Sequence, residues 1–211
     1  MKRLQLFTGC MFSGKTHALI LATDRARALL PVITIKSSVD TRDGQPRAIV
    51  ARTGLSLPVD VVTSNLAAVE PTTGCLYAVD EAQFFPSADL LDFFQRTAKC
   101  GAYLAVAGLD FDYARKPFGG VLQLASAALA GPYTWRLERL PTRCTHGGGS
   151  CPHPAVFTQR LESVAQAARA ASSAAAIVAV GGAELYQPAC ELHHSPSPLA
   201  HCDWSQRDAA H

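Results

Sequence analysis

The chain has almost no surplus charge: 19 Lys and Arg stand against 17 Asp and Glu, a formal +2 over 211 residues. That balance is too weak to mark a polyanion as partner, so nucleic-acid binding is not expected. Long apolar runs are missing too. None approaches the ~18 residues of a membrane span, so no membrane partner is expected. No segment repeats. The N-terminus carries no leader pattern, because strand-like residues begin at Leu4 and a glycine-bounded segment at Gly9, and the expected location is the cytoplasm. In that reducing compartment the seven cysteines are expected as thiols rather than disulfides. What is present suits one good core with room for a small satellite: 48% of residues are apolar and 17% charged.

The chain is organised around Gly9-Cys10-Met11-Phe12-Ser13-Gly14-Lys15-Thr16. Gly, four residues, then Gly-Lys-Thr is the spacing of a phosphate-binding P-loop. Leu4-Gln5-Leu6-Phe7 leads in as a short buried strand, and residues 16–30 follow as a helix. In that context the glycines let backbone N–H groups wrap a phosphate, and the helix N-terminus adds partial positive charge. Lys15 would reach the β- and γ-phosphates of a nucleotide, and the Thr16 hydroxyl would ligate Mg²⁺. A glycine-rich turn that merely carries a lysine is the bland alternative. A second strand, at residues 75–79, ends in Asp80-Glu81-Ala82-Gln83. Asp80 would hold Mg²⁺ through water, and Glu81 would stand beside the terminal phosphate, placed to take a proton from an attacking hydroxyl. The competing reading is an ordinary solvated strand end. No Asn-Lys-x-Asp sequence that would read guanine occurs.

Residues 32–35 and 103–107 read as further buried strands, 49–52, 57–62 and 133–137 as extended pieces. Residues 87–99 and 121–130 read as helices, the first with Ser87 as N-cap, and Ser64 could cap a brief helix through Glu70. Strands alternating with helices predict an α/β fold with a mostly parallel sheet and helices on both faces. Ligands of such sheets lie beyond the carboxyl ends of the strands. Residues 9–16, Asp80-Glu81 and 110–119 all follow strands and should therefore share a cleft. The last segment mixes aromatic and basic residues, which suits stacking on a base as well as packing on the core.

The late chain is different. Cys144-Thr-His146-Gly-Gly-Gly-Ser-Cys151-Pro-His153 is dense in soft ligands, and Cys190-Glu-Leu-His193 offers a second pair. Four ligands from two knuckles make a closed site suited to structural Zn²⁺. Cys144, Cys151, Cys190 and His193 are the expected set, with His146 and His153 open as substitutes for Cys151. Cys10, Cys75 and Cys100 read as core or loop residues. Between the knuckles, residues 162–176 are Ala-rich enough to predict a helix, and 177–182 read as a strand and turn. The tail, 195–211, lacks periodicity.

Taken together, the chain resembles the type II thymidine kinases, which carry a zinc-bearing lasso lobe. The resemblance rests on residues 9–16, Asp40-Thr-Arg42, Arg52-Thr-Gly54-Leu55, Val79-Asp-Glu-Ala-Gln-Phe-Phe85, Arg115-Lys-Pro-Phe-Gly119, Phe157-Thr-Gln-Arg-Leu161 and Gly181-Gly-Ala-Glu-Leu-Tyr186. It implies a RecA-like P-loop core over 1–140, a lasso lobe over 141–194 and a tail over 195–211. It also implies ATP-dependent phosphorylation of the 5′-hydroxyl of thymidine, with Glu81 as the base. Phe84 would lie against thymine, with Met11, Leu109, Tyr113 and Phe118 as further pocket residues. Asp40 and Arg42 match a motif beside phosphates and sugar. Thr158, Ile177, Ala179 and Tyr186 correspond to lasso positions at the thymine edge. A homotetramer is implied by analogy. Cys10, His17 and the six residues between Cys144 and Cys151 depart from the usual pattern.

Two rivals differ in what they leave unused. A nucleic-acid motor ATPase also opens with a P-loop and Asp-Glu-Ala, but it needs a second lobe and a basic strand-binding surface. A zinc-binding interaction module would leave Lys15, Thr16, Asp80 and Glu81 without purpose.

Overall fold

A computed structural model describes residues 2–40, 47–161 and 182–195. Arg42, the Ala-rich segment, Ile177, Ala179 and all of the tail except Ser195 lie outside those residues.

Strand β1 (Leu4–Thr8) leads through the glycine loop to helix α1 (Lys15–Arg27) and then β2 (Val32–Ser37). A hairpin of β3 (Ala48–Val50) and β4 (Ser56–Pro58) precedes β5 (Val61–Thr63) and β6 (Leu76–Asp80). Helix α2 (Ser87–Cys100), β7 (Tyr103–Ala107), α3 (Val121–Ala130) and β8 (Trp135–Arg139) complete the larger layer. Beyond it, β9 (Thr142–Arg143) pairs with β10 (Pro154–Ala155), and β11 (Phe157–Arg160) with β12 (Tyr186–Ala189), both antiparallel.

Six strands form one sheet in the order β5-β2-β6-β7-β1-β8, every neighbouring pair parallel. Apolar residues run continuously along its middle strands because both faces are covered. Leu76, Ala78, Ala105 and Ala107 turn to one face and pack with Phe7 against Leu19 and Ala26 of α1. Tyr77, Val79, Leu104 and Val106 turn to the other, against Leu90, Phe93 and Phe94 of α2 and Leu124 of α3. This is the period-two alternation of strands serving two helical layers.

Register then places the chemistry. Ile35, Val79, Val106, Leu6 and Leu137 lie in one row across the sheet. One residue further on, Asp80 stands opposite Lys36 and Phe7 opposite Ala107. The loops after β1, β2, β6 and β7 thus leave the sheet at nearly the same height and enclose a single cleft.

Some boundaries differ from the sequence reading, each for a local reason. Helix α1 stops at Arg27 rather than Leu30, because Pro31 disfavours helical geometry at the residue before it; the amides of Leu29 and Leu30 close on the Ala26 carbonyl instead. The brief helix after β5 shrinks to a 3₁₀ turn, Leu66–Ala68, and its cap is Asn65, which accepts from the Ala67 amide, not Ser64. Ser87 is the first residue of α2 rather than its cap, since Pro86 occupies that position. The extended piece expected over 57–62 is split between the hairpin and the main sheet. Among the described residues, no helix is long and apolar enough to cross a membrane.

Candidate functional site

The loop between β1 and α1 has the backbone its glycines allow. Gly9 lies at φ +132°, and a Cβ there would sit 2.8 Å from the Leu140 carbonyl oxygen. Gly14 takes the left-handed conformation that opens α1, so the first helical residues are Lys15 and Thr16. Ser13, Gly14 and the N-terminal turn of α1 therefore curve around the mouth of the loop. Lys15 is buried, and its ammonium donates to the Cys10 carbonyl at 2.7 Å. Burial pulls the lysine below its ordinary pKa, while the nearby charges of Glu81, Cys10, Asp110 and Asp80 push back. A buried ammonium at the head of a helix is a donor that a phosphate could take, with the neighbouring carboxylates keeping it charged.

At the end of β6, the Thr16 hydroxyl lies 3.3 Å from both carboxylate oxygens of Asp80. A hydroxyl and a carboxylate facing each other at a helix N-terminus are hard oxygen donors, the set Mg²⁺ prefers. The next residue, Glu81, is held at φ +52°, a left-handed conformation that costs a non-glycine residue about 1–2 kcal/mol. Its carboxylate accepts from the Gln83 side-chain amide. The carbonyl end of the same amide accepts from the Leu109 backbone N–H at 3.0 Å. Gln83, 2% exposed, thus pins Glu81 to the loop after β7. Lys15, Thr16, Asp80, Glu81, Met11, Asp40 and Leu109 line one cleft of about 600 Å³.

Beside this polar end lies an apolar one. Met11, Leu109 and Tyr186 pack together with Phe12, Tyr113 and Phe118. Phe84 meets Phe118 edge to face at 5.9 Å between ring centres, and Tyr113 lies 6.4 Å from Tyr186. Burial raises the Tyr186 phenol. Thr158 closes the set from β11: its hydroxyl accepts the Met11 N–H at 3.0 Å. The described base-pocket candidates from the sequence are therefore brought together. Asp40 lines the same cleft as Met11 and Leu109 and is paired with Lys36 at 3.4 Å, both side chains 2% exposed.

The second cluster gathers residues from the segment between β9 and β10 and from the turn after β12. Ligand atoms of Cys144, Cys151, Cys190 and His193 all fall within 4.8 Å of one another. The Cys151–Cys190 sulfur separation is 3.9 Å, and His193 Nδ1 lies 3.3 Å from Cys190 and 3.7 Å from Cys144. Donors about 2.0–2.3 Å from a shared tetrahedral centre stand roughly 3.3–3.8 Å apart, so this set is compatible with a structural Zn²⁺. Burial raises the Cys144 thiol, but the Cys190 and His146 backbone amides and the His193 and Cys190 side chains outweigh it and bring it to about 6. His146 stacks on the His193 ring at 3.9 Å. Among the described residues, neither it nor His153 joins the ligand group.

Three features were not anticipated. Arg52 lays its guanidinium 4.0 Å over the Phe12 ring, and Glu184 and Gly182 join it on the cleft wall. The Gly182 amide foremost, with Arg52 contributing, holds Glu184 below the usual carboxylate range. Asp110 accepts from Arg139 at 2.6 Å, joining the loop after β7 to β8. His194 bonds the aromatic loop and β11 at once. Arg52 carried a signal in the sequence, inside the Arg-Thr-Gly-Leu segment, as did Gly182 and Glu184 inside Gly181-Gly-Ala-Glu-Leu-Tyr186; the Asp110–Arg139 pair and the His194 contacts depend on partners far away along the chain.

Comparison with known proteins agrees with this geometry. The family model described as thymidine kinase matches residues 2–194. A thymidine kinase of Coprothermobacter proteolyticus is 35% identical over 195 residues, covering 90% of this chain and 89% of that protein. Thymidine kinases of the aster yellows witches'-broom and onion yellows phytoplasmas are 28% and 29% identical, over 90% of this chain and 86% of each. With a P-loop, an acidic strand end and a cysteine–histidine knuckle around one sheet, the chain belongs to the thymidine kinase family.

Proposed function

We propose that the protein transfers the γ-phosphoryl group of ATP to the 5′-hydroxyl of thymidine, giving dTMP. The observation that carries this reading is the meeting of Lys15, Thr16, Asp80 and Glu81 on one cleft with an aromatic wall beside them, in a chain of this family. Gly9, Cys10, Met11, Phe12, Ser13 and Gly14 form the loop that holds the phosphates, and Lys15 compensates their charge. Thr16 and Asp80 would hold Mg²⁺, which supplies charge neutralisation on the transferred group. Glu81 takes the proton of the 5′-hydroxyl as the new O–P bond forms and the bond to the β,γ-bridging oxygen breaks. Gln83 keeps that carboxylate aimed, and Ala82 lies in the same turn.

Met11, Phe84, Leu109, Tyr113, Phe118, Thr158 and Tyr186 enclose the flat pyrimidine, with Asp40 on the sugar side. Arg42, Ile177 and Ala179 are proposed for the same pocket on the family resemblance alone. The knuckle of Cys144, Cys151, Cys190 and His193 supports a structural Zn²⁺ that holds a lasso lobe, 141–194, against the core, 1–140. The family resemblance also supports a homo-oligomer, a tetramer by analogy, acting in the cytoplasm, with neither nucleic acid nor membrane as partner.

A nucleoside panel with ATP and Mg²⁺, read by chromatography for 5′-monophosphates, tests this. Thymidine should be converted. ATP turnover that responds to single-stranded DNA and not to thymidine would overturn the reading in favour of a motor ATPase.

A further inference from the structure

His194 follows directly on the knuckle residue His193, yet its ring faces away from the cysteine cluster into a joint between other segments. It is 7% exposed. Arg115 Nε donates to its Nδ1 at 2.9 Å. A guanidinium can only donate, so Nδ1 carries no proton and the neutral ring bears its hydrogen on Nε2. That N–H is directed at two backbone carbonyls, Tyr113 at 3.0 Å and Thr158 at 3.2 Å. Arg115 also bonds the Glu191 and His194 carbonyls and lies 4.3 Å over the Phe157 ring. Ser195 continues the seam, exchanging bonds with the Gln159 side-chain amide through its own N–H and C=O.

These contacts tie two segments that reach the apolar cluster, the aromatic loop and β11, to the knuckle. Tyr113 packs on Met11, Leu109 and Tyr186, of which Met11 and Leu109 line the cleft. Thr158, whose carbonyl meets the imidazole, offers its hydroxyl to the Met11 N–H of the phosphate loop. Arg115 is held in a left-handed conformation, φ +63°, at the tip of the loop that supplies Tyr113 and Phe118. We propose that His194 is a positioning residue: it locks the aromatic loop and β11 onto the knuckle, and through them sets how tightly the pocket closes on the nucleoside. The proposal rests on the pyrimidine pocket assigned above and adds to it a residue that touches neither substrate nor metal.

The test compares His194→Phe, which keeps a buried flat ring but no N–H and no acceptor, with His194→Gln, which restores both functions. Lost buried hydrogen bonds of this kind translate to about a tenfold change in affinity. His194→Phe should raise the thymidine KM about tenfold while kcat falls less than about threefold, and the ATP KM should hold. Its zinc content, measured by metal analysis, should equal that of the unaltered protein. His194→Gln should recover most of the thymidine KM. An unchanged thymidine KM in His194→Phe, an equal rise in both KM values, or a Gln variant as impaired as the Phe variant would each overturn the proposal. If His194→Phe does not fold, Arg115→Met at the half-buried partner position carries the same test, and an unaltered thymidine KM there is likewise decisive against it. Failure of the unaltered protein to phosphorylate thymidine would strike the pocket assignment itself, which separates the two outcomes.

Discussion

Gly119 offers a way to move the Glu81 carboxylate, the proposed base, without touching it. The residue lies at φ +58°, and a Cβ built there would stand 2.5 Å from the Gln83 carbonyl oxygen, 2.9 Å from its Cα and 3.0 Å from its carbonyl carbon. All three atoms are backbone, so no side chain can swing aside. To reach an ordinary contact of 3.4 Å the two segments must part by about 0.9 Å. Gln83 carries the amide that holds Glu81, so the shift passes directly to the proposed base. A reacting group misplaced by about 1 Å costs on the order of 10²-fold in rate. The left-handed conformation costs alanine about 1–2 kcal/mol, and the overlap about 1–3 kcal/mol more. Gly119→Ala should therefore melt roughly 4–20 °C lower and show kcat reduced about a hundredfold. Gly74→Ala is the control: its φ is +76° with nothing within 4 Å of the new Cβ, so it incurs the conformational cost alone and keeps kcat. Steady-state kinetics with a calorimetric melt on both variants decides the matter. If Gly119→Ala melts with Gly74→Ala and retains its turnover, the coupling from Gly119 through Gln83 to Glu81 is wrong.

Three other outcomes follow from the same geometry. Glu81→Gln should lower kcat by about 10²–10⁴-fold with the melting temperature and zinc content preserved; an active variant removes Glu81 from the role of base. Gln83→Leu should reduce kcat while leaving the Leu109 N–H buried without a partner, a loss of about 1–3 kcal/mol visible in a denaturant melt, and normal turnover would count against the bridge. Stripping zinc with a chelator, followed by hydrogen exchange, should release the amides of residues 142–160 and 186–195 before those of the parallel sheet, since a structural metal's binding energy is folding energy for the segment it closes; uniform protection would speak against a structural ion.

The parallel sheet and the phosphate loop were legible because their signals are local. Four or five apolar residues in a row, then a fixed glycine spacing, leave little freedom to the backbone. The left-handed Gly14 and crowded Gly9 are the positions that the spacing marks as special. The pairing of Thr16 with Asp80 was legible one step less directly, since strand-end acidic residues become neighbours of the loop only once the sheet is parallel. The fourth knuckle ligand was not fixed by spacing. Gly147, Gly148 and Gly149 all adopt positive φ in the turn that separates His146 from Cys151, which joins the ligand group while His146 stacks on His193. Nor could spacing assign the roles of His194 or Gln83, each of which also bonds main chain supplied by a distant segment. A side chain bonding distant main chain leaves no pattern along the sequence. The 3₁₀ turn at Leu66–Ala68 was misjudged in length because Asn65 satisfies its first free amide so early.

The phosphate loop itself divides into two halves with different duties. Its second half, Gly14-Lys15-Thr16, faces the cleft. Its first half also touches β11 and the knuckle. The Met11 amide is donated to Thr158, and Cys10 packs among Cys144, Cys151, Ala155 and Cys190. Burial, with Asp110 adding to it, raises the Cys10 thiol against the pull of Lys15. The Cys10 sulfur lies 3.9 Å from the Ala155 carbonyl and stands outside the ligand group. A neutral thiol fills that gap without competing for a metal, which a charged or larger residue would not do. The same residue's carbonyl accepts from Lys15. One residue thus has its side chain against the knuckle and its main chain on Lys15, so the cleft and the knuckle share a wall. A metal held at the knuckle would then bear on the Lys15 loop through packing alone.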